Sequence, residues 1–527
     1  MKFIHSLLFI SFIYSFSIGQ NTSHLDGNYV NATINNTGTF FNDYATSWPG
    51  YEIPEGSNKH CIYAASFWYG GMNSNNELKL SAQFYQANQD LFPGPYSSNS
   101  SYNDPLFASN YHSIWTVTSG QIQYHIDNYT DPSYVTPTSI STWPGNGDTT
   151  LGVSEQLAPY VDVNNDGFYI PEDGDYPDIK GCMASYIIMN DAADTHGTGG
   201  DIIGIEVHQM FYHYFTTDLG SYLNRTTFLE QRIINRGTQT LYDFYTTFFM
   251  DADIGNYSDD YVGCDSSRNM MYAYNGDTND ESSGGTTGYG LETPSLGVIS
   301  LNNNLIGSGS FSSTSGSSPT TPADIYNTMQ GLWSDGTPIY YGGNGVAGSP
   351  GVSTTPTTFI YSDNPNDPSG WSEVTQANPP GDRRSYMSIY SDVFAPFTEV
   401  SQDYAIVQAP EGSAQESVNY LIDKADSVQA FYQNPLSECD IMASLSEIAN
   451  KIIEIYPNPS SGQFTLSLKN VLNKSNLQII NSDGRIVYQR ELGMEKQLEI
   501  QLKEPTGIYM LTINDGNSIF SKKIILE

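Results

Sequence analysis

The residues best suited to bind a ligand form a short acidic loop. Asp162, Asn164, Asp166 and Asp173 occupy positions 1, 3, 5 and 12 of this loop, and Gly167 occupies position 6. That spacing folds oxygen ligands around one hard cation, and the glycine permits the sharp turn between them. The loop therefore predicts a calcium site, in which the ion would stabilise the fold.

Three other positions refine this prediction. Phe168 at position 7 would offer its backbone carbonyl, whereas Ile170 at position 9 has no side-chain donor and position 12 is Asp where an EF-hand has Glu. The aspartate form resembles dockerin and thrombospondin-type loops, in which calcium is structural. The alternative is an Asx-turn loop held by its own hydrogen bonds.

A second group of acidic residues follows a predicted strand that ends near residue 250. Crowded carboxylates raise the free energy of the folded state unless a cation or protons compensate their charge. The group therefore indicates a second calcium site, and its alternative is a solvated acidic loop. Its members are Asp251, Asp253, Asp259, Asp260 and Asp265, with Asn256 between them.

Catalysis is only weakly indicated. Glu206 with Asp251 or Asp253 could supply the two carboxylates, about 5 to 10 Å apart, that glycoside hydrolysis needs, but acids are abundant enough for such pairs to arise by chance. His208 and His213 would lie on opposite faces of one strand, so they cannot chelate one metal together. The sequence contains no G-x-S-x-G, H-E-x-x-H or phosphate-binding loop. We therefore assign no catalytic residue.

Aromatic residues offer a further signal. Aromatic faces on a β-sandwich are a common platform for sugars, although aromatic residues more often belong to the core. The tryptophans are Trp48, Trp68, Trp115, Trp143, Trp333 and Trp371. They support carbohydrate binding as an alternative function.

One basic pair stands out in the acidic part of the chain. Arg383 and Arg384 follow Asp382. We expect the two arginines to form ion pairs with neighbouring carboxylates rather than to recognise a ligand.

Alternating apolar and polar residues dominate the elements that would position these groups. The strongest strand predictions are residues 202–215, 227–235 and 241–250, and the last two are joined by the turn sequence Asn-Arg-Gly-Thr at 235–238. Helical periodicity is nearly absent in residues 28–130. The fold class is therefore mainly β, with β-sandwich-like packing.

One amphipathic helix is predicted late in the chain. Ser413 and Glu416 have the spacing of a capping box, and Pro435 ends the segment. We expect the helix to pack across a sheet. Its apolar face consists of Val418, Leu421, Ile422, Ala425, Val428 and Phe431.

Length and charge limit the classes of function. The 527 residues exceed what one core usually serves. With 20 Lys and Arg against 57 Asp and Glu, the net charge of −37 argues against binding to nucleic acid or to anionic membrane surfaces. Residues 451–527 hold 9 basic and 8 acidic residues, whereas residues 1–450 hold 11 and 49. This difference predicts a domain boundary near residue 450.

The N-terminus has the features of an export signal. Met1 and Lys2 precede an apolar stretch at 3–18, and Gly19 offers a cleavage site. The stretch is short for a membrane span, and no later run reaches that length. We therefore predict a signal peptide at 1–19 and no transmembrane segment in the mature chain.

Export leads to an oxidising compartment, where cysteines can pair. Cys61, Cys182, Cys264 and Cys439 are widely and irregularly spaced. The sequence does not determine which cysteines pair. Free buried thiols are as compatible with it as disulfides are.

Residues 451–527 form a separate module of short alternating segments bounded by turns, which predicts a small β-sandwich. Its motifs resemble the type A C-terminal sorting domain of the type IX secretion system, an immunoglobulin-like β-sandwich. The residues that carry the resemblance are Tyr456, Pro457, Asn458, Pro459, Gly507, Tyr509, Lys522 and Lys523.

The resemblance implies how the protein is delivered. Such domains carry cargo across the outer membrane of Bacteroidota, after which the cargo is released or fixed to surface lipopolysaccharide. Residues 60–435, with segments such as FWYGG at 67–71 and DADIGNYSDDYVGCD at 251–265, look like a large group of Bacteroidota surface proteins that bear this domain. The implied partners are the secretion machinery and either lipopolysaccharide or extracellular glycans.

These observations combine into one expectation. The protein is predicted to be a secreted or cell-surface, calcium-stabilised and non-enzymatic surface, matrix or adhesion component. The alternative is a carbohydrate-binding protein or glycoside hydrolase. The predicted regions are a signal peptide at 1–19, a β-rich region with the calcium loop at 20–198, a β-sandwich-like region at 199–435, a linker at 436–450 and the sorting domain at 451–527.

Overall fold

The computed structural model describes residues 22–85, 88–216, 218, 220–312, 318–435, 453–468, 475–480, 486–492, 497–514 and 519–526. The predicted signal peptide at 1–19 and linker at 436–450 lie outside these ranges. The chain divides into two compact units, Met1–Leu436 and Ser437–Glu527, which we call the first unit and the terminal unit.

Two large antiparallel sheets form the first unit, which confirms the mainly β prediction. The first sheet is centred on strands His60–Asn73 and Leu241–Ala252, which pair with each other. Thr39–Phe40 and Leu78–Ala82 also pair with His60–Asn73. The main path of the sheet runs, in spatial order, through Thr22–Leu25, Asn31–Asn35, Tyr51–Glu52, His60–Asn73, Leu241–Ala252, Arg383–Phe394 and Gly307–Ser312.

The second sheet also has nine strands. Phe92–Pro93 pairs with Met183–Asn190 beside the main path. That path runs through Trp115–Thr118, Met183–Asn190, Ile205–His213, Thr226–Asn235, Glu399–Ala409, Ser295–Ser300, Met270–Asn275 and Asp260–Asp265. Three two-stranded pairs complete the unit: Asn42–Asp43 with Trp48–Pro49, Tyr160–Val161 with Tyr176–Pro177, and Ile339–Tyr340 with Pro356–Thr357.

The main core lies between the two sheets. Phe248 and Met250 of the first sheet belong to one buried cluster with Val207 and Phe211 of the second. Side chains alternate between the two faces of a strand, so the intervening residues point to the outer faces. Side chains from the central strands of both sheets therefore pack together in this core.

Both sheets contain strands from residues 22–198 and from residues 199–435. His60–Asn73 pairs with Leu241–Ala252, and Met183–Asn190 pairs with Ile205–His213. The division predicted at residue 198 therefore does not separate two folding units.

The three strongest strand predictions are confirmed as Ile205–His213, Thr226–Asn235 and Leu241–Ala252. The turn at 235–238, however, leads from the second sheet to the first. Thr226–Asn235 already pairs with a strand on each side, so no edge is free for a hairpin. The turn therefore links the two layers.

The late helix is confirmed as Ser417–Gln433, and it packs on the outer face of the second sheet. Leu421 and Val428 lie in one cluster with Met210 and Tyr212. The predicted capping box is wrong. Residues Ala414–Glu416 form a 3₁₀ turn, and the Ser413 side chain makes no capping bond.

Shorter helices also occur among the described residues. The other α-helices are Pro105–Tyr111, Ser119–Asn128, Thr138–Ser141 and Pro322–Met329. The 3₁₀ turns are Ser101–Asn103, Thr149–Leu151, Pro171–Asp173, Tyr222–Arg225, Ser266–Arg268 and Ala414–Glu416. None of the helices in these ranges is long and apolar enough to cross a membrane.

The terminal unit is a small sandwich with its own core. One sheet contains Ile453–Tyr456, Gln463–Leu468 and Gln497–Gln501, and the other contains Ile486–Leu492, Ser475–Ile480, Gly507–Asn514 and Ile519–Leu526 in spatial order. Phe464, Leu477 and Leu511 are among its buried residues. The predicted sandwich is confirmed.

Three cysteines fall within the described residues. Cys61 and Cys264 are free and buried, and burial raises the pKa of each thiol to about 12. Cys182 is disulfide-bonded. The two free thiols are therefore protonated and unreactive at neutral pH.

His213 gives the fold a measurable pH dependence. Its ring is fully buried with Nε2 2.8 Å from the Thr227 hydroxyl, and burial lowers its pKa from 6.5 to about 3. Between these two values the unfolded chain binds a proton that the folded chain does not. Stability is therefore lost as pH falls below 6.5, by up to about 1.4 kcal/mol per pH unit.

We expect the free energy of unfolding, measured in urea, to fall more steeply from pH 6.5 to 5 for the wild type than for His213→Gln. Glutamine keeps a polar group near Thr227 but does not titrate. The other titrating groups are common to both proteins, so their effects cancel in the difference. Parallel pH profiles would contradict this role of His213.

Candidate functional site

A cavity of about 830 Å³ opens on the outer face of the first sheet, near the ends of its central strands. Its walls combine tyrosine rings, three carboxylates, one guanidinium and two small polar side chains. The lining residues are Asn42, Tyr44, Ser47, Tyr63, Tyr85, Asp251, Asp253, Tyr257, Asp382 and Arg384.

Strand alternation explains why the charged groups face this cavity. In Leu241–Ala252, Phe249 points outward into a satellite cluster, and Asp251 two residues later shares its face. On the neighbouring strand Tyr386 belongs to that same cluster and Arg384 shares its face. Asp251 and Arg384 are paired in register, so their side chains meet.

Asp251 is the most constrained of these groups. It is 5% exposed, and the Tyr85 hydroxyl donates a hydrogen bond to its Oδ2. Arg384 Nε lies 3.5 Å from the same oxygen. Among the described residues, the other carboxylate oxygen, Oδ1, is buried and has no hydrogen-bond partner. One oxygen of Asp251 is therefore unsatisfied.

Burial dominates the electrostatics of the cavity. It raises the pKa of Asp251 to about 6, although the Arg384 charge acts against the shift. Burial, together with the charges of Asp251 and Asp382, raises the pKa of Asp253 well above its usual value. Three carboxylates around one guanidinium leave a surplus of negative charge, which favours a proton or a bound cation.

Tyrosines form the remaining wall. The rings of Tyr63 and Tyr85 meet edge to face at 6.1 Å, and the Arg384 guanidinium lies 5.5 Å from the Tyr85 centroid. Tyr257 is 46% exposed, and the Tyr44 hydroxyl donates to the Thr39 carbonyl at 3.1 Å. The sequence prediction missed all four cavity tyrosines, because it relied on the tryptophans as aromatic markers.

The tryptophan platform is not formed. Trp68, Trp115, Trp143 and Trp371 are buried at 3% exposure or less. Trp48 and Trp333 are half-buried, and neither lines the cavity. These side chains contribute to packing.

The acidic loop at 162–173 folds around its own hydrogen bonds. Asp162 accepts from the backbone amides of Asn165 and Gly167 at 2.6 and 2.8 Å, and Gly167 adopts φ 86°. The Asn164 amide lies 3.0 Å from Asp166 Oδ2 and 3.4 Å from Asp173 Oδ2. The loop thus brings together the side chains of four predicted ligands, while Phe168 is exposed.

Asp175 closes this loop, and the sequence prediction missed it. It is fully buried, and its two oxygens accept the amides of Val163 and Ile170 at 2.8 Å each. A carboxylate two residues beyond the motif is the only sequence signal for this role. Within the described ranges, no group of three or more His, Cys, Asp or Glu side chains has a metal-holding arrangement.

The second acidic group is dispersed. Asp251 and Asp253 line the cavity. Asp259 accepts from the Asn256 amide at 3.0 Å, and Asp260 accepts from the Ile254 backbone at 3.0 Å. Asp265 caps a 3₁₀ turn at the far end of its strand. The predicted gathering of all five residues at one calcium site is therefore not formed.

Glu206 belongs to a different buried network. It is fully buried, and it accepts from the Tyr96 backbone at 2.8 Å and from Arg236 at 2.7 Å. His208 Nε2 lies 3.0 Å away. Burial alone would raise the pKa of Glu206, but the bonds from His208 and Arg236 lower it. Glu206 does not line the cavity, so the cavity does not bring it together with Asp251 and Asp253.

The remaining side-chain predictions hold. His208 contacts Tyr186, whereas His213 contacts Thr227 toward the inter-sheet core, so the two histidines lie on opposite faces. Arg383 pairs with Glu373 at 3.0 Å. Together with the Arg384 contacts, this confirms the predicted ion pairs.

In the terminal unit, the recognised motifs contact one another. The Asn458 side chain accepts from the Ile525 backbone at 2.8 Å, which ties the Tyr-Pro-Asn-Pro segment at 456–459 to the last strand. Tyr509 donates to the Pro505 carbonyl at 2.7 Å, and Gly507 pairs with Leu526. The side chains of Lys522 and Lys523 lie outside the described part of the chain.

Residues 454–527 match the family model of the secretion system C-terminal sorting domain. The match confirms the resemblance in the sequence. The terminal unit is thus a type IX secretion sorting domain, which directs the protein to the extracellular or cell-surface space.

Comparison with known proteins adds little for the first unit. None of the curated proteins matches the chain. Among solved structures, a polysaccharide lyase aligns over 61% of this chain and 34% of its own, at 9% identity and a TM-score of 0.17. A Ruminococcus gnavus β-glucuronidase in complex with uronic isofagomine aligns over 54% and 35%, at 9% identity and a TM-score of 0.13. The chain spans about a third of those proteins, and TM-scores this low carry no argument.

The Glu206 network predicts a large difference between two glutamate variants. Glu206→Gln leaves buried donors without a charged acceptor, so we expect the free energy of unfolding to fall by about 3 kcal/mol or more. Glu399→Gln, which breaks the partly exposed pair with Arg232, should cost about 1 kcal/mol or less. Denaturant unfolding of both variants measures this difference. Equal and small losses would show that the Glu206 network is not structural.

Proposed function

We propose that the protein acts on the cell surface or outside the cell as a non-enzymatic matrix or adhesion component, and that its first unit binds a saccharide in the cavity. The sorting domain accounts for the location. The observation that carries the binding proposal is the cavity itself, with four tyrosines and a few polar groups. Its volume lies in the range of small-ligand sites, and aromatic rings pack against the apolar faces of sugars.

The chemistry of the cavity supports holding a sugar. Ring hydroxyls both donate and accept hydrogen bonds, and the cavity offers acceptors at its carboxylates and donors at Arg384 and the tyrosine hydroxyls. Surface lipopolysaccharide and extracellular glycans are saccharides that a protein delivered by this route would meet. They are therefore the proposed partners.

A glycoside hydrolase is the second candidate, because Asp251 and Asp253 both line the cavity. If the wild type cleaves any glycan and Asp253→Asn does not, the result would support the glycoside hydrolase function. Binding without turnover would support the adhesion or matrix role.

Tyr257 offers a direct test of saccharide binding, because it lines the cavity and is 46% exposed. Removing one stacking ring should weaken binding about 3- to 10-fold, which corresponds to about 0.5 to 1.5 kcal/mol. We expect a bound glycan, found by calorimetry against a broad panel, to bind Tyr257→Ala more weakly by that factor.

Tyr420→Ala is the matched control. Tyr420 is 39% exposed on the Ser417–Gln433 helix and does not line the cavity, so its loss should leave the dissociation constant unchanged. Absence of any glycan binding across the panel would refute the proposal. Equal weakening in both variants would place the binding site elsewhere.

We also propose that calcium binds the loop at 162–173 and stabilises the first unit. The convergence of Asp162, Asn164, Asp166 and Asp173 supports this assignment, as does the Asp175 clamp that holds both ends of the loop. Carboxylate and amide oxygens are the ligands that calcium prefers. The ion would have a structural role.

Calcium at a hundredfold excess over its dissociation constant should raise the free energy of unfolding by about 2.7 kcal/mol. We expect thermal unfolding of the wild type to shift upward with calcium and that of Asp162→Asn to remain unchanged. Asp367→Asn removes a similar turn contact elsewhere and should keep the full calcium response. A calcium shift that survives in Asp162→Asn would exclude this loop as the site.

A further inference from the structure

The cavity carries more negative than positive charge, and this imbalance constrains its ligand. Three carboxylates face one guanidinium across the lining. Arg384 lies 3.5 Å from Asp251 and 3.9 Å from Asp382, so its charge is already shared between two acids. When all three acids are ionised, one guanidinium leaves two carboxylate charges without a counter-charge. The third acid, Asp253, therefore has no dedicated cation among the lining residues.

The hydrogen-bonding state of Asp251 specifies what is missing. Tyr85 and Arg384 both approach Oδ2, while Oδ1 is buried and has no partner in the part of the chain that the structure describes. An unsatisfied buried carboxylate oxygen costs free energy that a donor would recover. Asp382 has an unsatisfied buried oxygen as well. Two carboxylates that approach Arg384 thus each have an oxygen that requires a donor.

A primary ammonium group meets both requirements. It supplies one positive charge and three N–H donors, so it can bond to more than one carboxylate at once. The adjacent tyrosine rings add a favourable cation–π contribution, since a cation within about 6 Å of a ring centroid is attracted to its face. A neutral hydroxyl would supply a donor but not the charge.

The cavity is larger than an ammonium group alone needs. Asn42, Ser47, Tyr63 and Tyr257 also line it. These groups suit the hydroxyls of a sugar ring better than the methylene chain of a simple alkylamine. The ligand should therefore combine a ring bearing hydroxyl groups with an amine.

We infer that the cavity recognises a saccharide with a free amino group, whose ammonium lies among the carboxylates of Asp251, Asp253 and Asp382 while its ring packs against the tyrosines. This inference rests on the proposed saccharide binding and specifies its chemical class. In this arrangement the carboxylates determine specificity for the amino group, and the ring contacts provide affinity.

Three tetrasaccharides with the same β-1,4 linkage separate charge from ring binding: those of glucosamine, N-acetylglucosamine and glucose. Titration calorimetry with the full chain, at a pH where the amine is protonated, should give a dissociation constant for the glucosamine tetramer about tenfold or more below the other two. Spermidine, which has amines without a sugar ring, should bind more weakly than the glucosamine tetramer.

Asp253→Asn should reduce the preference for the glucosamine tetramer to about threefold or less while binding of the neutral tetramers stays unchanged. Asp382→Asn should act in the same direction. Its side chain is 26% exposed, so this second variant keeps the test valid if Asp253→Asn does not fold. Asp131→Asn changes an exposed acid outside the cavity and should keep the full preference. Thermal unfolding confirms that each variant is folded.

The outcomes separate the two proposals. Equal affinities for the three tetramers would overturn the amino-sugar assignment and leave saccharide binding intact. Spermidine binding as tight as the glucosamine tetramer would overturn the sugar part of the assignment. Absence of binding by every saccharide, including the broad panel, would overturn both.

Discussion

Strand Leu241–Ala252 pairs along its length with a neighbour on each side, and this pairing determines the geometry of the first unit. Phe248 and Met250 enter the inter-sheet core, whereas Phe249 and Asp251 face outward. A register shift of one residue would exchange the two faces and place a carboxylate between the sheets. Burying an unpaired charge there would cost several kcal/mol. The same constraint therefore builds the core and positions the cavity acids.

Several acidic residues in the first unit have a local structural role. Asp131 and Asp367 each accept hydrogen bonds from the serine two residues later, and these bonds lower the pKa of both carboxyls. Asp335 does the same with Thr337. Such turns are frequent between short strands, because an aspartate side chain can replace a backbone acceptor. Part of the excess of aspartate is thus turn chemistry, which a composition count does not distinguish from ligand binding.

The sequence predicted what depends on local periodicity and missed what depends on distant contacts. The three long strands and the Ser417–Gln433 helix followed from their apolar spacing. Helix Ser119–Asn128 begins with a formed capping box at Thr118 and Gln121, so its signal was present but was overlooked. The Tyr85 bond to Asp251 joins residues 166 positions apart, and no local pattern encodes it. The alternation of residues 248–251 is enough to place Asp251 on the outer face of the sheet. It does not identify the residues that contact Asp251.

The arrangement of Asp251 and Asp253 bears on whether the cavity cleaves its ligand or only binds it. Glycosidases place one carboxyl group on each side of the scissile bond. Asp251 is the last but one residue of its strand, and Asp253 follows that strand. Asp382 immediately precedes the adjoining strand and Arg384 lies on it, so all these groups lie at the same end of two neighbouring strands of the first sheet. Among the tyrosines of the lining, Tyr44 and Tyr85 ionise poorly, because burial raises the pKa of Tyr44 to about 12 and that of Tyr85 further. Acids confined to one wall can hold a cationic group firmly, but they do not flank a bond, and this asymmetry favours recognition over hydrolysis.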